Sequence, residues 1–386
     1  MMANKTIQAS LVSSNSICQG EQAGILWKEL FNRNIVINNA YQTFIWDSES
    51  LSKAHVYCVI VQFSYTERPI KHLWLQKSND YIEAPYINQY LLPYKVSLLE
   101  NRSTPLSNVP KIGIGNKPID DGYYLFNEDE MNEFVRKEPK SSKYFKKWYG
   151  SDEFIHGYCR YCLWLGDCTP GELRSMPLCL DRVKKVKEYR LASKSDGTRK
   201  LAEKPTRFHV ENMPKGSYLV LPETSSENRE YIPIGFFDDT VLCSNALKVM
   251  APASLFDFGI LTSILHNAWM RVVCGRLGNG YRYSIGIVYN NFIWVKPTEK
   301  QKEAITKTAQ AILDARNLYP DSTLADLYDP TAMPIELKKA HKENDRTVLE
   351  LYGLPKDATE EQMAARMFEL YDAKKSGINN TDLELL

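Results

Sequence analysis

The chain has 386 residues, 44% of them hydrophobic, and its 48 Lys and Arg are almost balanced by 47 Asp and Glu. This length and composition predict a globular protein of two or three domains. The net charge of +1 excludes a globally basic nucleic-acid binder, so any binding of nucleic acid must come from a local patch.

The sequence shows no sign of export or of a membrane span. Residues 1–7 contain no apolar signal core, and the longest apolar stretch, around residues 255–265, is too short and too interrupted to cross a bilayer. The eight cysteines are spread along the chain and indicate reduced thiols, many of them in the core, rather than a disulfide framework. We therefore expect a cytoplasmic protein.

The first part of the chain has the pattern of an α/β domain. Residues 9–14 predict a short strand, 20–31 a helix, and 34–38 and 54–63 two further strands. This order, with the last strand as an antiparallel partner, corresponds to half of an α/β domain. A doubly wound sheet that binds a nucleotide needs additional strands before these.

From about residue 90 the sequence predicts a mixed α+β region and then a small helical subdomain. Periodicity and turn residues predict these elements: helices at 128–147, 173–192 and 254–273, strands at 160–165, 218–221 and 231–236, and a basic loop at 194–207. Past Trp294, Thr298 and Gln301 form the capping-box pattern of a helix that extends to residue 317. Pro334 suits the first turn of the next helix, and Thr359 caps a third.

The stretch Cys274-Gly-Arg-Leu-Gly-Asn-Gly-Tyr-Arg-Tyr283 follows the helix predicted at 254–273. Its three glycines favour a flexible loop that lets backbone approach a ligand. Arg276 and Arg282, with Tyr281 and Tyr283 beside them, are suited to contact phosphate, to stack, or to read guanine edges. The alternative is a surface turn whose arginines are solvated.

Two patterns have the residue types of a metal site. Cys159, Cys162, Cys168 and Cys179, with His156 nearby, have the composition of a zinc site, but residues 161–165 form an apolar strand without a chelating turn. Asp321, Glu336 and Lys338 match the residue types of a metal-dependent nuclease motif. Pro334, however, places the Glu and Lys at the start of a helix instead of on a strand. We expect core cysteines and an accidental match, and hence no bound metal.

Three aromatic residues, Tyr41, Phe44 and Trp46, lie in the segment between the last two predicted strands of the α/β part. We predict that this segment is a loop. Its rings are suited to stack on an extruded base, and they are equally suited to form a hydrophobic lid over the sheet.

A series of short motifs follows one another along the chain. They are Asn15-Ser-Ile-Cys-Gln-Gly-Glu-Gln22, Ala40-Tyr-Gln-Thr-Phe-Ile-Trp46, Gly115-Asn-Lys-Pro118, Tyr161-Cys-Leu-Trp-Leu165, Arg190-Leu-Ala-Ser-Lys194, Tyr231-Ile-Pro-Ile-Gly-Phe236, His266-Asn-Ala-Trp-Met-Arg271, Tyr283-Ser284, Tyr289-Asn-Asn-Phe292 and Leu324-Ala-Asp-Leu-Tyr-Asp-Pro330. The series closely resembles the C-terminal portion of the MmeI-like, type IIL restriction–modification family. Those proteins join a nuclease, an adenine-N6 DNA methyltransferase, a target-recognition domain and a helical tail.

The resemblance implies three regions and a fold class of α/β plus α+β. Residues 1–88 correspond to the last part of an S-adenosylmethionine-dependent methyltransferase domain, with a partial Rossmann-like sheet. Residues 89–297 correspond to a mixed α+β target-recognition domain that binds double-stranded DNA. Residues 298–386 correspond to the C-terminal helical domain.

The resemblance also implies roles for individual residues. Tyr41, Phe44 and Trp46 match an aromatic segment near the flipped adenine. The positions that specify bases in the family align with Ala246, Gly278, Gly280 and Arg282, of which Arg282 is the candidate for a guanine contact. The other residues that we assign to DNA contact are Arg276, Lys117, Lys194, Arg199 and Lys200.

The sequence lacks the motifs that carry catalysis and cofactor binding in the family. The family's catalytic Asn-Pro-Pro-aromatic motif is absent, since no Pro-Pro occurs anywhere in the sequence, and so are the cofactor-binding glycine loop and the nuclease. We therefore expect a DNA-recognition part that is inactive alone and works with a separate chain carrying the rest of the methyltransferase. S-adenosylmethionine then belongs to the complete enzyme and is not bound by this chain alone. The alternative is a non-catalytic DNA-binding remnant.

Overall fold

A computed structural model describes residues 7–46, 56–75, 80–278 and 280–377. The chain divides into two compact units. Unit 1 comprises Met1–Val109, Ser263–Ile305 and Lys342–Leu386, and unit 2 comprises Pro110–Thr262 and Thr306–His341.

The secondary structure consists of short strands and mostly short helices. The strands are β1 (Gln8–Ser14), β2 (Val36–Trp46), β3 (Val56–Ser64), β4 (Lys71–Trp74), β5 (Tyr81–Ala84), β6 (Ile112–Ile114), β7 (Leu125–Phe126), β8 (Phe145–Tyr149), β9 (Arg160–Leu163), β10 (Tyr218–Pro222), β11 (Thr224–Ser225), β12 (Gly235–Phe237), β13 (Val241–Cys243), β14 (Leu247–Met250), β15 (Gly275–Leu277) and β16 (Gly280–Arg282). The helices are α1 (Gly20–Asn32), α2 (Glu128–Lys137), α3 (Ser151–His156), α4 (Pro170–Arg174), α5 (Pro177–Leu191), α6 (Asp196–Leu201), α7 (Leu255–Thr262), α8 (Ile264–Val273), α9 (Glu299–Asn317), α10 (Leu324–Leu327), α11 (Ile335–Leu351) and α12 (Glu360–Lys375).

Unit 1 contains a mixed sheet with the described strands in the order β1-β3-β2-β4-β5. Strands β2 and β4 are parallel, and the other neighbours are antiparallel. Ala40 and Leu73 are buried on one face of this sheet, and Ala23 and Trp27 are buried in α1. The predicted order of strand, helix and two strands is therefore present in the first part of the chain.

The loop predicted for the aromatic segment is wrong, because β2 continues through it to Trp46. The pairing of β2 with β3 shifts between Tyr41 and Phe44, where three residues of β2 span the distance of two on β3. Such a bulge adds one residue to a strand and redirects its side chains. The strand predicted at 54–63 is present from Val56, and its first two residues lie outside the described part of the chain.

Unit 2 contains two sheets whose described strands are ordered β12-β10-β14-β6 and β13-β8-β9-β7. A core cluster that includes Trp148, Cys162 and Cys179 joins the second sheet to α5. At the start of α5, the buried Glu138 carboxylate accepts hydrogen bonds from the backbone N–H groups of Leu178 and Cys179, at 2.8 and 2.9 Å. A carboxylate at this position satisfies donors that a helix N-terminus leaves without partners.

Four predicted elements of the middle region differ from the structure. The helix predicted at 128–147 ends with α2, and β8 follows it at 145–149. The basic loop at 194–207 contains α6, which Ser195 caps by accepting from the N–H of Thr198. The strand predicted at 231–236 is reduced to β12, and the helix at 254–273 is divided at Ser263, whose side chain caps α8.

The helical tail agrees with its sequence signals. Thr298 and Gln301 make the predicted reciprocal hydrogen bonds before α9, and Thr359 and Gln362 do the same before α12. Pro334 lies one residue before α11. No helix in the described ranges is long and apolar enough to span a membrane.

Candidate nucleic-acid interface

The stretch 274–283 is a β-hairpin and not the glycine-hinged loop that we predicted. Strands β15 and β16 pair antiparallel, with Gly275 opposite Arg282, Arg276 opposite Tyr281, and Leu277 opposite Gly280. Gly278, at the tip, has a φ of 58°, a value that glycine adopts without strain and that hairpin turns of the primed types require. Asn279 lies outside the described residues.

The inner face of the hairpin carries Arg276 and Tyr281. The guanidinium of Arg276 lies 3.9 Å from the centroid of the Tyr281 ring, so this cross-strand pair is a close cation–π contact. Only 8% of Tyr281 is exposed. Burial raises the pKa of Tyr281, whereas the nearby Arg276 lowers it.

The expectation that both tyrosines lie at the surface beside the arginines is wrong. Tyr283 is buried, and its hydroxyl lies 3.1 Å from Nε2 of the buried His266 in α8. Alternation along β16 directs Tyr281 inward, and Tyr283 has already left the strand for the core. Burial raises the pKa of Tyr283 well above its usual range. The tyrosines anchor the hairpin.

The outer face of the hairpin carries the residues at the alternate positions. Arg282 is exposed, and Leu277 is 62% exposed. They share this face with Gly275 and Gly280, because residues two apart on a strand point to the same side. Arg282 therefore projects from a ribbon whose neighbouring positions carry no side chain.

Ala246, the remaining specifying position, lies in unit 2, in the turn between β13 and β14. Its carbonyl accepts hydrogen bonds from the Ser151 hydroxyl at 2.6 Å and from the N–H of Glu223 at 2.8 Å. Its own N–H donates to the Ser244 hydroxyl at 3.2 Å. The backbone of this turn is thus fixed, while the short side chain of Ala246 remains partly exposed.

Arg190 holds the backbone of the segments that carry the basic residues of unit 2, a role that the sequence did not assign to it. Arg190 is fully buried at the end of α5. Its guanidinium donates hydrogen bonds of 2.8–3.2 Å to five backbone carbonyls, those of Pro118, Ile119, Leu201, Lys204 and Arg207. Burial lowers the pKa of Arg190, and the neighbouring Tyr124 and Asp120 raise it. One signal was present in the sequence, since Arg190 continues the inward stripe of Val183 and Val186.

Arg190 thereby joins the two segments that carry the predicted basic contacts. One is the turn at Lys117, whose backbone also pairs with Val210. The other is the segment that follows α5. Lys117, Lys194 and Lys200 are exposed. Arg199 is engaged locally, since it forms an ion pair with Asp196 and donates to the Ser193 carbonyl at 2.7 Å.

The aromatic residues of β2 form a connected group in unit 1. The bulge places the ring centroids of Tyr41 and Phe44 5.4 Å apart, and those of Phe44 and Trp46 6.3 Å apart. Trp46 is 51% exposed, and the other two are partly buried. Tyr41 and Phe44 are thus packed in the group, while the exposed ring of Trp46 offers a face for stacking.

The cysteines considered for zinc lie in different surroundings. Cys162 and Cys179 are buried in the apolar core cluster of unit 2, whereas Cys168 packs at its edge and Cys159 is partly exposed. Glu336 and Lys338 lie in the first turn of α11. In the part of the chain that the structure describes, no group of three or more His, Cys, Asp or Glu residues has the arrangement of a metal site.

Comparison with known protein families identifies the region that contains the hairpin. The family model "MmeI, target recognition domain" matches residues 93–296, which is more than half of the chain. The chain belongs to the MmeI family. The model "MmeI, C-terminal domain" matches residues 296–379, and "MmeI, DNA-methyltransferase domain" matches residues 1–75. The predicted resemblance is thus confirmed, and the domain boundaries at 88 and 297 stay predictions.

This MmeI-family chain is similar over nearly its whole length to two known proteins. It is similar to "DNA methyltransferase A" of Bacillus subtilis (strain 168), with 38% identity over 365 residues, which cover 94% of this chain and 41% of that protein. It is also similar to a solved structure of the type IIL restriction-modification enzyme MmeI in complex with DNA. That match has a TM-score of 0.91 and 44% identity, and it covers 97% of this chain and 51% of that one. The chain therefore spans about half the length of these relatives or less.

Proposed function

We propose that this chain selects the DNA target of an adenine-N6 methyltransferase, with the outer face of the hairpin as a sequence reader. The observation that carries the proposal is the position of Arg282, exposed on a ribbon between glycines in a region that matches the target-recognition model. An arginine directed into the major groove bonds O6 and N7 of guanine with its two-pronged donor group.

The same arrangement assigns different tasks to the two hairpin arginines. Arg276 is committed to the inner face by its contact with Tyr281, so it supports the hairpin. Arg282 is exposed on the outer face, and Gly278 and Gly280 occupy specifying positions without side chains. Direct readout by the hairpin then depends on Arg282, and Ala246 contributes a small apolar surface from the turn of unit 2.

The basic residues of unit 2 complete the proposal with contacts to the DNA backbone. Lys117, Lys194 and Lys200 are exposed cations, which suit phosphate oxygens and position a protein on the duplex without reading sequence. Arg199 belongs to this set by sequence, but its ion pair with Asp196 competes with a phosphate.

A selection experiment tests this function. The chain is incubated with a pool of duplexes randomised over about ten base pairs, and the bound fraction is sequenced over several rounds. We expect enrichment of one sequence that contains adenine and at least one guanine, because specific recognition exceeds non-specific binding by several orders of magnitude. Uniform recovery of the pool would refute a recognition function.

The chemistry of the proposed enzyme requires parts outside these residues. S-adenosylmethionine would supply the methyl group in the complete enzyme. Its S–CH3 bond would break as the bond to the amino nitrogen of the extruded adenine forms, which leaves S-adenosylhomocysteine and releases one proton from the amino group. Positioning and exclusion of water would carry such a transfer. Because the Asn-Pro-Pro-aromatic motif is absent from this sequence, we expect no methyl transfer from labelled cofactor by this chain alone. Addition of a polypeptide that carries the motif should restore transfer, and transfer without it would contradict the expectation.

The aromatic group of β2 is proposed to stack on the extruded adenine. Trp46 is the most exposed of the three rings. With 2-aminopurine at the target adenine of the reconstituted enzyme, base extrusion should raise the fluorescence. Stacking on the indole quenches part of this rise, so Trp46→Ala should increase the signal, whereas Tyr81→Ala, which removes another half-exposed ring of unit 1, should leave it unchanged. Equal signals from wild type and Trp46→Ala would exclude the stacking role.

A further inference from the structure

The strongest concentration of charge in the molecule begins on α5 and continues past α6. Residues 182–207 contain ten Lys and Arg and three Asp and Glu, in a chain whose net charge is only +1. So dense a local excess of positive charge raises the local concentration of polyanions.

Half of these cations are occupied by contacts within unit 2. Arg190 is buried against five carbonyls, and Arg182 lies over the rings of Phe126 and Phe134. Lys185, Arg199 and Arg207 form ion pairs with carboxylates. The remaining five are Lys184, Lys187, Lys194, Lys200 and Lys204, all exposed and without a carboxylate partner within the described residues. We call them the lysine surface.

Arg190 gives the lysine surface a fixed geometry. Its hydrogen bonds to the carbonyls of Leu201, Lys204 and Arg207 hold the end of α6 and the segment after it against the end of α5. All five of its N–H donors face carbonyl oxygens, so Arg190 arranges the surface and does not contact a ligand itself. Cations held on a folded scaffold lose less freedom on binding than cations on a mobile tail.

Within the lysine surface, α5 contributes a pair that no earlier argument assigned. Lys184 and Lys187 are three residues apart and therefore neighbours along one side of the helix. Lys185 points to another side of the helix, because the two residues from Lys185 to Lys187 turn it by about 200°. Lys185 also forms an ion pair with Asp181 at 2.8 Å. The exposed carboxylates of this stretch are those of Glu188, Asp196 and Glu203, and beside ten cations they leave it strongly positive.

We infer that the lysine surface binds the DNA backbone, with Lys184 and Lys187 extending the contact from the residues after α5 onto the helix itself. This inference rests on the proposed function and extends its phosphate contacts from Lys194 and Lys200 to Lys184, Lys187 and Lys204. The added contacts supply affinity and no sequence choice. Contacts of this kind fix the register of a protein on its duplex while the groove contacts specify bases.

The salt dependence of binding tests the inference. Each phosphate contact steepens the plot of log affinity against log salt by about 0.9. The double variant Lys184→Gln/Lys187→Gln is compared with Lys137→Gln/Lys185→Gln, which removes two ion-paired lysines of the same unit. Both doubles change the net charge equally. We expect the first to flatten the slope by about one to two units, the second to change it by less than half as much, and both to select the same sequence from the randomised pool.

The outcomes separate the inference from the function on which it rests. Equal slopes for the two doubles, with target selection intact, would overturn the lysine surface and leave the proposed function standing. A changed sequence preference in Lys184→Gln/Lys187→Gln would also overturn it, because phosphate contacts do not read bases. Failure of the wild-type chain to bind duplex DNA at low salt would refute both.

Discussion

Gly20 and Gly275 lie so close together that the backbone of Gly275 leaves little room for a side chain on Gly20. A Cβ atom on Gly20 would lie 3.1 Å from Cα and 3.2 Å from N of Gly275. The first residue of α1 thus packs on the first residue of the hairpin within unit 1. The methyltransferase-like part of the chain therefore supports the element that we assign to base recognition.

Gly20→Ala should loosen this contact. Gly20 has a φ of 54°, so alanine there adds both backbone strain and a steric clash. We expect a loss of about 2–3 kcal/mol in the free energy of unfolding in urea, together with weaker binding of the selected duplex. Gly216→Ala is the matched control, since Gly216 has a φ of 70° and nothing within 4 Å of its Cβ. It should lose only about 1 kcal/mol. Equal losses would show that the close approach contributes nothing.

Arg190 is expected to be among the most important single side chains of unit 2. Arg190→Met leaves five carbonyls without their donor, and removal of one member of a buried charged network costs about 3–5 kcal/mol. Arg190→Lys should recover little of this, since an ammonium cannot form the planar fork. Arg182→Met, on the same helix, removes only a contact with two rings and should cost about 1 kcal/mol or less. Urea denaturation of the three variants measures the difference, and similar midpoints would contradict the role of Arg190.

How far the sequence predicted this structure depends on the length of the element. The helices at α1, α9 and α12 follow from apolar periodicity and capping boxes, because these signals are local and repeat over several turns. The hairpin was not predicted, since strands of three residues contain too little alternation to be distinguished from a glycine loop. The extension of β2 to Trp46 was also not predicted, because a bulge interrupts the alternation of side chains by which a strand is recognised.

The candidate site was predicted in composition but not in orientation. Arg282 and the lysines of unit 2 were named from the resemblance and from charge. The burial of Tyr281 and Tyr283 depends on which face of the hairpin packs on the core. The spacing of the two tyrosines does not predict that face. The role of Arg190 was missed for a different reason: its partners are backbone carbonyls, which no side-chain motif records.

Buried thiols should make the protein sensitive to alkali. Burial raises the pKa of Cys18, Cys243 and Cys274 from about 9 to about 12. Between these values the unfolded chain loses protons that the folded chain retains, so stability is intact below pH 9 and falls as pH rises toward 12. Each such thiol contributes a slope of about −1.4 kcal/mol per pH unit. Cys274→Ala should make the measured decline between pH 9 and 11 shallower by about this amount, and an unchanged slope would contradict the assignment.

The most direct test of the central claim is the base preference of Arg282→Ala at the selected target. Arg282 is exposed on the outer face, and Arg276 lies over Tyr281 on the inner face. Binding is measured for the selected duplex and for duplexes that replace each base pair in turn. We predict that Arg282→Ala loses about 1–3 kcal/mol of binding free energy and loses discrimination at one guanine position only. Retention of both affinity and preference at every position would contradict the hairpin as the reader.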